Sequence, residues 1–574
     1  MSNASQQEHT YYLLAQFIHF AYHHEEIDTG FRAYIRTNYG IDDEQVLTQL
    51  EQYASAASAD YTLSPVSSKF FGRENIWYEP QSLFSGGIPI ASSSKARCFH
   101  LADEAISHVK EYILTHQACL SFSTLLDLIE AYCTYFSVDN GKTSFFEFLK
   151  LRTGLRDIYS LLDLESEAPI LVCSLDFIGI KEFKFQKLFN NDLNRMRVAS
   201  LYIDLFRENV LDELLDRLGL TRANVIYSGG RHLHLYLPNT TLVKASVSSF
   251  VTIVNDWLVA EFGTLLYLSY GYCPFTHGDS DADHYRTAFV HIANFKSVVE
   301  SRKYTPENIR AINALHSSGM YLKKRERFLN SIDSLVSKLS NDENVRFIVS
   351  LKATDIEVFP GRFIDVLPCS STWEKADSLV RMYLRKCPER QYDEPSIGIW
   401  LSPYAMTAGF EALKSKGKPN RPIGVLRFDI DNFKSSMLSD ISPSGSENIK
   451  MMLSKEFTLF LRYYIHLLYS NEVYMIHEGA DDAFFVGSWG DIVRFAYALQ
   501  SSCKEYTGGV VTMSVGISCY TSGSFSSAAS EAQELLDRAK LIPGKDAVAL
   551  ATTKGAIKWD DFQLSYLDEL SMET

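Results

Sequence analysis

The chain has 574 residues, of which 46% are hydrophobic and 22% charged, with 36 Phe and 32 Tyr among them. That composition excludes collagen-like, coiled-coil and wholly disordered architectures, and at roughly 150 residues per unit the length predicts about four structural units. With 55 Lys+Arg against 70 Asp+Glu, the net charge of −15 excludes coating of nucleic acid by bulk charge, so any such contact must be local.

Nine cysteines occur without a single Cys-x-x-Cys, and the closest pair, Cys119 and Cys133, is fourteen positions apart. This spacing argues against a zinc ribbon or a small disulfide framework and suits a reducing cytoplasm. The first thirty residues lack a basic segment followed by an apolar run, so no signal peptide is expected. The most apolar long window, Phe250 to Leu268, is broken by Asn255, Asp256 and Glu261, which predicts a soluble helix and no membrane contact.

In chain order, His9 to about Glu165 shows mostly helical periodicity, divided by a Ser-, Gly- and Pro-rich loop over Ser64–Ser94. The apolar run from Pro169 to Ile180, containing Asp176, predicts a buried strand. Val225–Tyr227 and His232–Leu237 flank Ser228-Gly229-Gly230 and predict a hairpin. From about Arg302 to Leu401 no strand signal appears before Phe347–Leu351. Lys323 to Arg327 reads there as a solvated helix face in preference to an RNA contact. Pro422 to Lys434 predicts a strand ending in Asp429 and Asp431, followed by an amphipathic helix over about Glu447–Tyr469. A second hairpin, Val473–Ile476 and Ala483–Val486, flanks Glu478-Gly479-Ala480-Asp481-Asp482. A helix (Asp491–Tyr506), a strand (Val510–Ile517) and a helix (Ala528–Lys540) complete the pattern.

The two strand–helix–hairpin units look like copies, because Asp176 precedes Gly229 by 53 positions and Asp429 precedes Gly479 by 50. Their element order predicts two ferredoxin-like βαββαβ domains in an α+β chain. The copies differ in chemistry: the second carries Asp429, Asp431, Asp481 and Asp482, the first only Asp176, with Arg231 and His232 at its tip. Four carboxylates at one sheet edge repel unless a hard cation joins them. Two such ions would activate a 3′-hydroxyl and stabilise a departing pyrophosphate. Taken singly, the Gly-Ala-Asp-Asp tip is an ordinary polar turn, Ser514 a strand serine, and Lys540 and Lys545 a charged helix end. It is their combination that points to nucleotide chemistry.

The chain resembles the large polymerase-cyclase subunit of type III CRISPR effector complexes, closest to the type III-A branch. The resemblance rests on Leu175–Phe183, Tyr227–His232 with Leu235–Asn239, Leu426–Asn432, Gly479–Asp482 with Phe485–Trp489, Ser514–Ile517 and Gln81–Phe84. The segment Phe428–Lys434 is also similar to diguanylate cyclases, which share the GGDEF-like palm. The resemblance implies a helical N-terminal region (1–165), a non-catalytic first palm (166–300), a mostly helical linker (301–420), a catalytic second palm (421–555) and a short tail (556–574). It implies two ATP molecules joined into cyclic oligoadenylate with Mg²⁺ or Mn²⁺, with Asp429, Asp481 and Asp482 catalytic. Asp429, Ile430, Asp481 and Asp482 would hold the metals. Ser228, Gly229, Gly230, Asn432, Gly479, Ser514 and Lys540 would contact nucleotide, Ser514 near adenine and Lys540 near the triphosphate. The implied partners are the other complex subunits, guide RNA and target RNA. Alternative readings are a catalytically silent scaffold of the same complex, or a transferase using another base or acceptor.

Four departures from the family pattern stand out. Ala480 replaces the second Gly of the Gly-Gly-Asp-Asp tip, and no His is directly followed by Asp, so no HD-type DNA cutting is expected. The Cys-x-x-Cys pairs common between the palms are absent. Only about fifteen residues follow Trp559, where the family usually adds a helical domain.

Overall fold

The computed structural model describes residues 3–21, 99–116, 120–137, 143–162, 168–184, 192–276, 282–341, 345–354, 356–370, 378–387, 395–401, 422–432, 455–468, 473–479, 481–521, 525–553 and 555–562, with short pieces at 37, 64–65, 77–78, 81–92 and 189. Among the described residues, four helices lead the chain: α1 (Asn3–Ala21), α2 (Phe99–Thr115), α3 (Phe122–Cys133) and α4 (Phe145–Tyr159). Ser121 and Ser144 accept hydrogen bonds from the backbone N–H groups of Thr124 and Glu147, capping α3 and α4. Their apolar faces close a core of their own around Leu13, Phe17, Leu125, Ile129 and Phe145.

The first repeat comprises β1 (Ile170–Ile178), α5 (Leu193–Leu218), β2 (Val225–Gly229), β3 (His232–Pro238), α6 (Thr241–Phe262) and β4 (Tyr267–Phe275). Its sheet runs β2-β3-β1-β4, all antiparallel, which is the order of a ferredoxin-like unit. Among the described residues α6 is the one helix long and apolar enough to cross a membrane. Its apolar residues Val247, Phe250, Val251, Val254 and Leu258 are instead buried in the main core. Asn255, one of the polar breaks in that run, clamps helix to strand: Nδ2 donates to the Leu268 carbonyl at 2.9 Å, and Oδ1 accepts the Leu268 N–H at 2.8 Å.

Helices α7 (Ala282–Ser301), α8 (Pro306–Ser317) and α9 (Met320–Asn341) follow. The expected charged face of α9 makes ion pairs, with Lys324 and Arg327 both on Glu261. Among the described residues of the stretch 301–420, expected to be mostly helical, helix runs as far as Asn341. Beyond it lies a five-stranded sheet of β5 (Val345–Ser350), β6 (Ile356–Phe359), β7 (Arg362–Pro368), β8 (Leu379–Arg385) and β9 (Ile397–Ile399), in the order β6-β7-β5-β8-β9. These strands are short, and arginines interrupt their apolar alternation. Arg381 is 8% exposed and is satisfied by Asn209 at 2.6 Å, Asp216 at 2.7 Å and Glu213 at 2.9 Å, so a position that reads as surface is interior.

The second repeat contains β10 (Ile423–Ile430), β11 (Val473–Glu478), β12 (Asp482–Ser488), α10 (Trp489–Thr507), β13 (Met513–Tyr520), α11 (Phe525–Lys540), β14 (Ala547–Leu550) and β15 (Ala556–Lys558). Its sheet runs β11-β12-β10-β13-β14-β15, and the first four strands repeat the order of the first sheet. Of the helix expected over Glu447–Tyr469, 455–468 is described; it includes a π turn at Phe460–Tyr464. Gly516 sets how closely α11 packs on β13. A Cβ there would lie 2.3 Å from the Ala532 carbonyl oxygen and 2.2 Å from the Leu536 nitrogen.

Candidate active site

The chemistry-bearing residues collect where β10 ends. Asp429 stands opposite Asp482 of β12 on one side and Ser514 of β13 on the other. The hairpin tip is fastened to that strand end, because the Ile430 N–H donates to the Asp481 carbonyl at 2.8 Å and the Gly479 N–H to the Asp482 carbonyl at 2.7 Å. Any side chain at 479 would place its Cβ 1.9 Å from Asp482 Oδ1, so glycine is what lets that carboxylate lie across the tip. Ala480 lies outside the described residues. Lys540, the last residue of α11, puts Nζ 2.9 Å from Asp429 Oδ2, with the two side chains 28% and 25% exposed. Burial pushes the Asp429 carboxyl above the ordinary range. Asp482 and Asp431 add to that rise, against the pull of Lys540.

Asp431 shares the face of Asp429 but does not join an open cluster with it, as the spacing suggested. It is 4% exposed and accepts hydrogen bonds from Ser514 Oγ at 2.7 Å, Thr512 Oγ1 at 3.0 Å and the Asp546 N–H at 3.0 Å. Three donors satisfy the carboxylate, which makes it a structural tie between β10, β13 and the turn after α11. Ser514, expected near a base, is fully buried and spends its hydroxyl on Asp431. Around this tie lie three non-glycine residues with left-handed backbone: Asn432 (φ 56), Lys545 (φ 51) and Asp546 (φ 49). Lys545 Nζ donates to Asn432 Oδ1 at 2.8 Å, across the rim of the same strand end. Such strain, held by surrounding contacts, gathers at functional sites.

The first sheet has the same frame and the opposite charge solution. The Phe177 N–H donates to the Arg231 carbonyl at 2.9 Å, as Ile430 does to Asp481, and Asp176 stands opposite His232 as Asp429 does opposite Asp482. Asp176 Oδ1 lies 2.8 Å from both His232 Nδ1 and Lys296 Nζ. Burial alone would raise this carboxyl, but the His232 hydrogen bond and the Lys296 charge hold it well below the ordinary range. Ile178 occupies the position of Asp431. This carboxylate is 8% exposed, with both His232 and Lys296 on one of its oxygens.

The tip of this hairpin is hydrogen-bonded from below. Ser228 Oγ donates to Glu208 Oε1 at 3.2 Å, and Gly230 (φ 52) offers its carbonyl to Arg207 Nη1 at 2.8 Å. A Cβ at Gly229 would lie 2.4 Å from the Tyr227 hydroxyl. Arg231 is exposed, with Nε 3.3 Å from His232 Nε2. Burial pushes the Tyr227 hydroxyl up to about 12, opposed by Arg462 and Arg207 and reinforced by the charges of Glu478 and Asp481.

Thus Asp429, Gly479, Asp481, Asp482 and Lys540 gather at one strand end, with Ser514 beneath and Asn432 on its rim. Ser228, Gly229 and Gly230 belong to the other sheet. Among the described residues no three His, Cys, Asp or Glu side chains stand together as a metal-holding group. The donor set of the second sheet nonetheless suits a hard cation: its oxygens are carboxylate, and an ammonium group already stands on Asp429. Sequence reasoning missed Lys296, Arg207 and Arg462, which lie on helices with no motif around them. Only an apolar helix interrupted by charge signals them.

Residues 169–317 match the family model for the Csm1 subunit domain B, and residues 422–549 match that for the Cas10/Cmr2 second palm domain. A curated relative, the CRISPR system single-strand-specific deoxyribonuclease Cas10/Csm1 (subtype III-A) of Mycobacterium tuberculosis, is 25% identical over 527 residues, covering 78% of this chain. The chain spans 65% of the length of that relative. A Csm1-Csm4 cassette solved in complex with cA3 superposes with a TM-score of 0.72 at 18% identity, covering 98% of this chain and 87% of that one. The cassette in complex with one ATP gives 0.73 at 17% identity, covering 97% and 86%. At such identities the likeness of the solved structures speaks for the fold alone. Residues 169–317 and 422–549 thus match Csm1 and Cas10/Cmr2 domain models, and the chain as a whole is similar to large type III-A Cas10-like subunits built around palm domains.

Proposed function

We propose that the chain is a metal-dependent nucleotidyl cyclase that converts ATP into cyclic oligoadenylate. It would act inside a type III effector complex, with the other subunits, guide RNA and target RNA as partners. The observation that carries this reading is the contrast between the copies. Asp176 is sealed by His232 and Lys296, whereas its counterpart Asp429 is a quarter exposed, faces Asp482, and is raised by burial and by its acidic neighbours. Among the described residues the carboxylate of the first copy has two basic partners, His232 and Lys296, and that of the second has one, Lys540. The similar cassettes solved with cA3 and with ATP support a nucleotide as the missing partner.

In this reading Asp429, Asp481 and Asp482 hold Mg²⁺ or Mn²⁺. Such an ion supplies charge for the 3′-oxygen nucleophile and the departing pyrophosphate. Lys540 releases Asp429 and meets phosphate instead. Asn432 and Gly479 border the nucleotide, and Ser514 acts by holding Asp431 in place. Ser228, Gly229 and Gly230 shape the pocket of the acceptor in the first palm, where Arg231 meets its phosphate or ribose. Accordingly Arg231→Ala raises the ATP concentration needed for half-maximal product by about tenfold, the loss of one charge-assisted contact. Steady-state kinetics over a range of ATP concentrations check this, and an unchanged ATP dependence returns Arg231 to a surface role.

A second reading, a catalytically silent scaffold, draws on the Lys540–Asp429 pair, which gives that carboxylate a partner without any metal. Product formation by the assembled complex separates the two. The base is part of the same proposal: GTP or an adenylylated small molecule in place of cyclic oligoadenylate would change the product mass.

A further inference from the structure

Helix α5 of the first palm is a core helix with a polar stripe. Arg197, Ser200, Asp204 and Arg207 recur at intervals of three and four, so they share one face. That face backs the edge strand of the second palm. Arg197 Nε donates to the Met475 carbonyl at 3.1 Å and Ser200 Oγ to the Ile476 carbonyl at 3.0 Å. Further along the stripe, two arginines meet one carboxylate oxygen. Asp204 Oδ1 lies 3.5 Å from Arg207 Nη1 and 3.7 Å from Arg462 Nη2. Each arginine reaches a different hairpin: Arg207 Nη1 donates to the Gly230 carbonyl at 2.8 Å, and Arg462 Nε to Glu478 Oε1 at 3.0 Å. Glu478 is the last residue of β11, adjacent to Gly479 and the Asp481-Asp482 tip.

The four charged side chains of this chain of contacts are sequestered. Arg207, Asp204, Arg462 and Glu478 are 1%, 3%, 3% and 6% exposed. Water therefore does not absorb a shift of charge at one end, and a shared acceptor must redistribute between its two donors. Arg462 sits in the π turn Phe460–Tyr464, a local widening of the helix of the kind found at functional sites. A cavity of about 130 Å³, lined by Glu208, Tyr227, Ser228, Arg222 and Arg462 among others, adjoins the network and gives these side chains room to move.

We propose that Asp204 is a positioning residue that couples the two hairpins, so that a nucleotide bound at the first tip sets the geometry of the carboxylate tip and favours binding of the second. This rests on the two-nucleotide reading above. A nucleotide that orders the Gly230 tip fixes Arg207 against Asp204. Arg462 then settles on Glu478, and the second nucleotide meets a tip already in place.

The test is a calorimetric titration of the full chain with a non-hydrolysable ATP analogue and Mg²⁺. The wild type binds two analogues, the second about tenfold more tightly than if the sites were independent. Asp204→Asn, which keeps the shape and removes the charge, binds two analogues independently. Arg207→Lys keeps a cation beside Asp204 but lacks the fork that also reaches Gly230, and it loses the coupling in the same way. If Asp204→Asn does not fold, Arg207→Lys decides alone. A folded variant that retains wild-type cooperativity overturns the coupling. So does a wild type that binds two analogues independently, and in that case the nucleotide reading survives. A wild type that binds no analogue overturns both.

Discussion

Replacing Asp481 and Asp482 together by alanine abolishes nucleotide product while the chain still folds and its complex still assembles. The two side chains belong to a tip held by backbone hydrogen bonds, Ile430 N–H to the Asp481 carbonyl and Gly479 N–H to the Asp482 carbonyl, and alanine keeps both. Asp482 also contributes to the repulsion that raises Asp429, so its removal relieves strain in the metal-free protein. Without these acids Asp429 is left with Lys540, and neighbouring Asp431 is already taken up by three donors. The loss of rate is expected at about 10³-fold or more, on the scale of lost electrostatic stabilisation in a transition state. Product analysis alongside thermal unfolding checks it; undiminished product from the double variant removes the site from this strand end.

Asp431→Ala has the opposite signature. This carboxylate, two positions from Asp429, is the acceptor for Ser514, Thr512 and the Asp546 N–H. Alanine leaves a backbone N–H and two hydroxyls facing an apolar gap, and it frees a turn whose residues 545 and 546 are held in left-handed conformation. The expected cost is about 3 kcal/mol, with a melting temperature lower by roughly 5–10 °C. Asp429→Asn, by contrast, leaves the melting temperature near that of the wild type, because burial and Asp482 already oppose the charge it removes. Equal destabilisation by the two substitutions contradicts the division of roles between these carboxylates.

That division was not legible in the sequence. Asp429-x-Asp431 places both acids on one strand face, but which of them is satisfied depends on Thr512, Ser514 and Asp546, whose approach is set by the β10–β13 register and by the turn after α11. The hairpins and the equivalence of the copies were legible, because a glycine turn between β-rich runs, at a matching distance from a strand-end Asp, is a local signal. The sheet of β5 to β9 was hidden for the converse reason. One strand carries a buried arginine, Arg381, whose partners Asn209, Glu213 and Asp216 lie on α5, more than a hundred residues earlier. Likewise nothing near Asp176 in sequence announces Lys296, which α7 brings to it from 120 positions away. Periodicity reports which face a residue occupies; it does not report which distant charge meets it there.

The proposed division of labour has the second palm perform transfer chemistry on ATP while the first only binds. It is tested most directly by incubating the assembled complex with labelled ATP, Mg²⁺ or Mn²⁺ and target RNA, and measuring the mass of the product. The expected product is cyclic oligoadenylate, formed only with the divalent metal and lost in the Asp481→Ala, Asp482→Ala double variant. Product that persists in the double variant, or ATP left unconverted by the wild-type complex with its target RNA present, contradicts it.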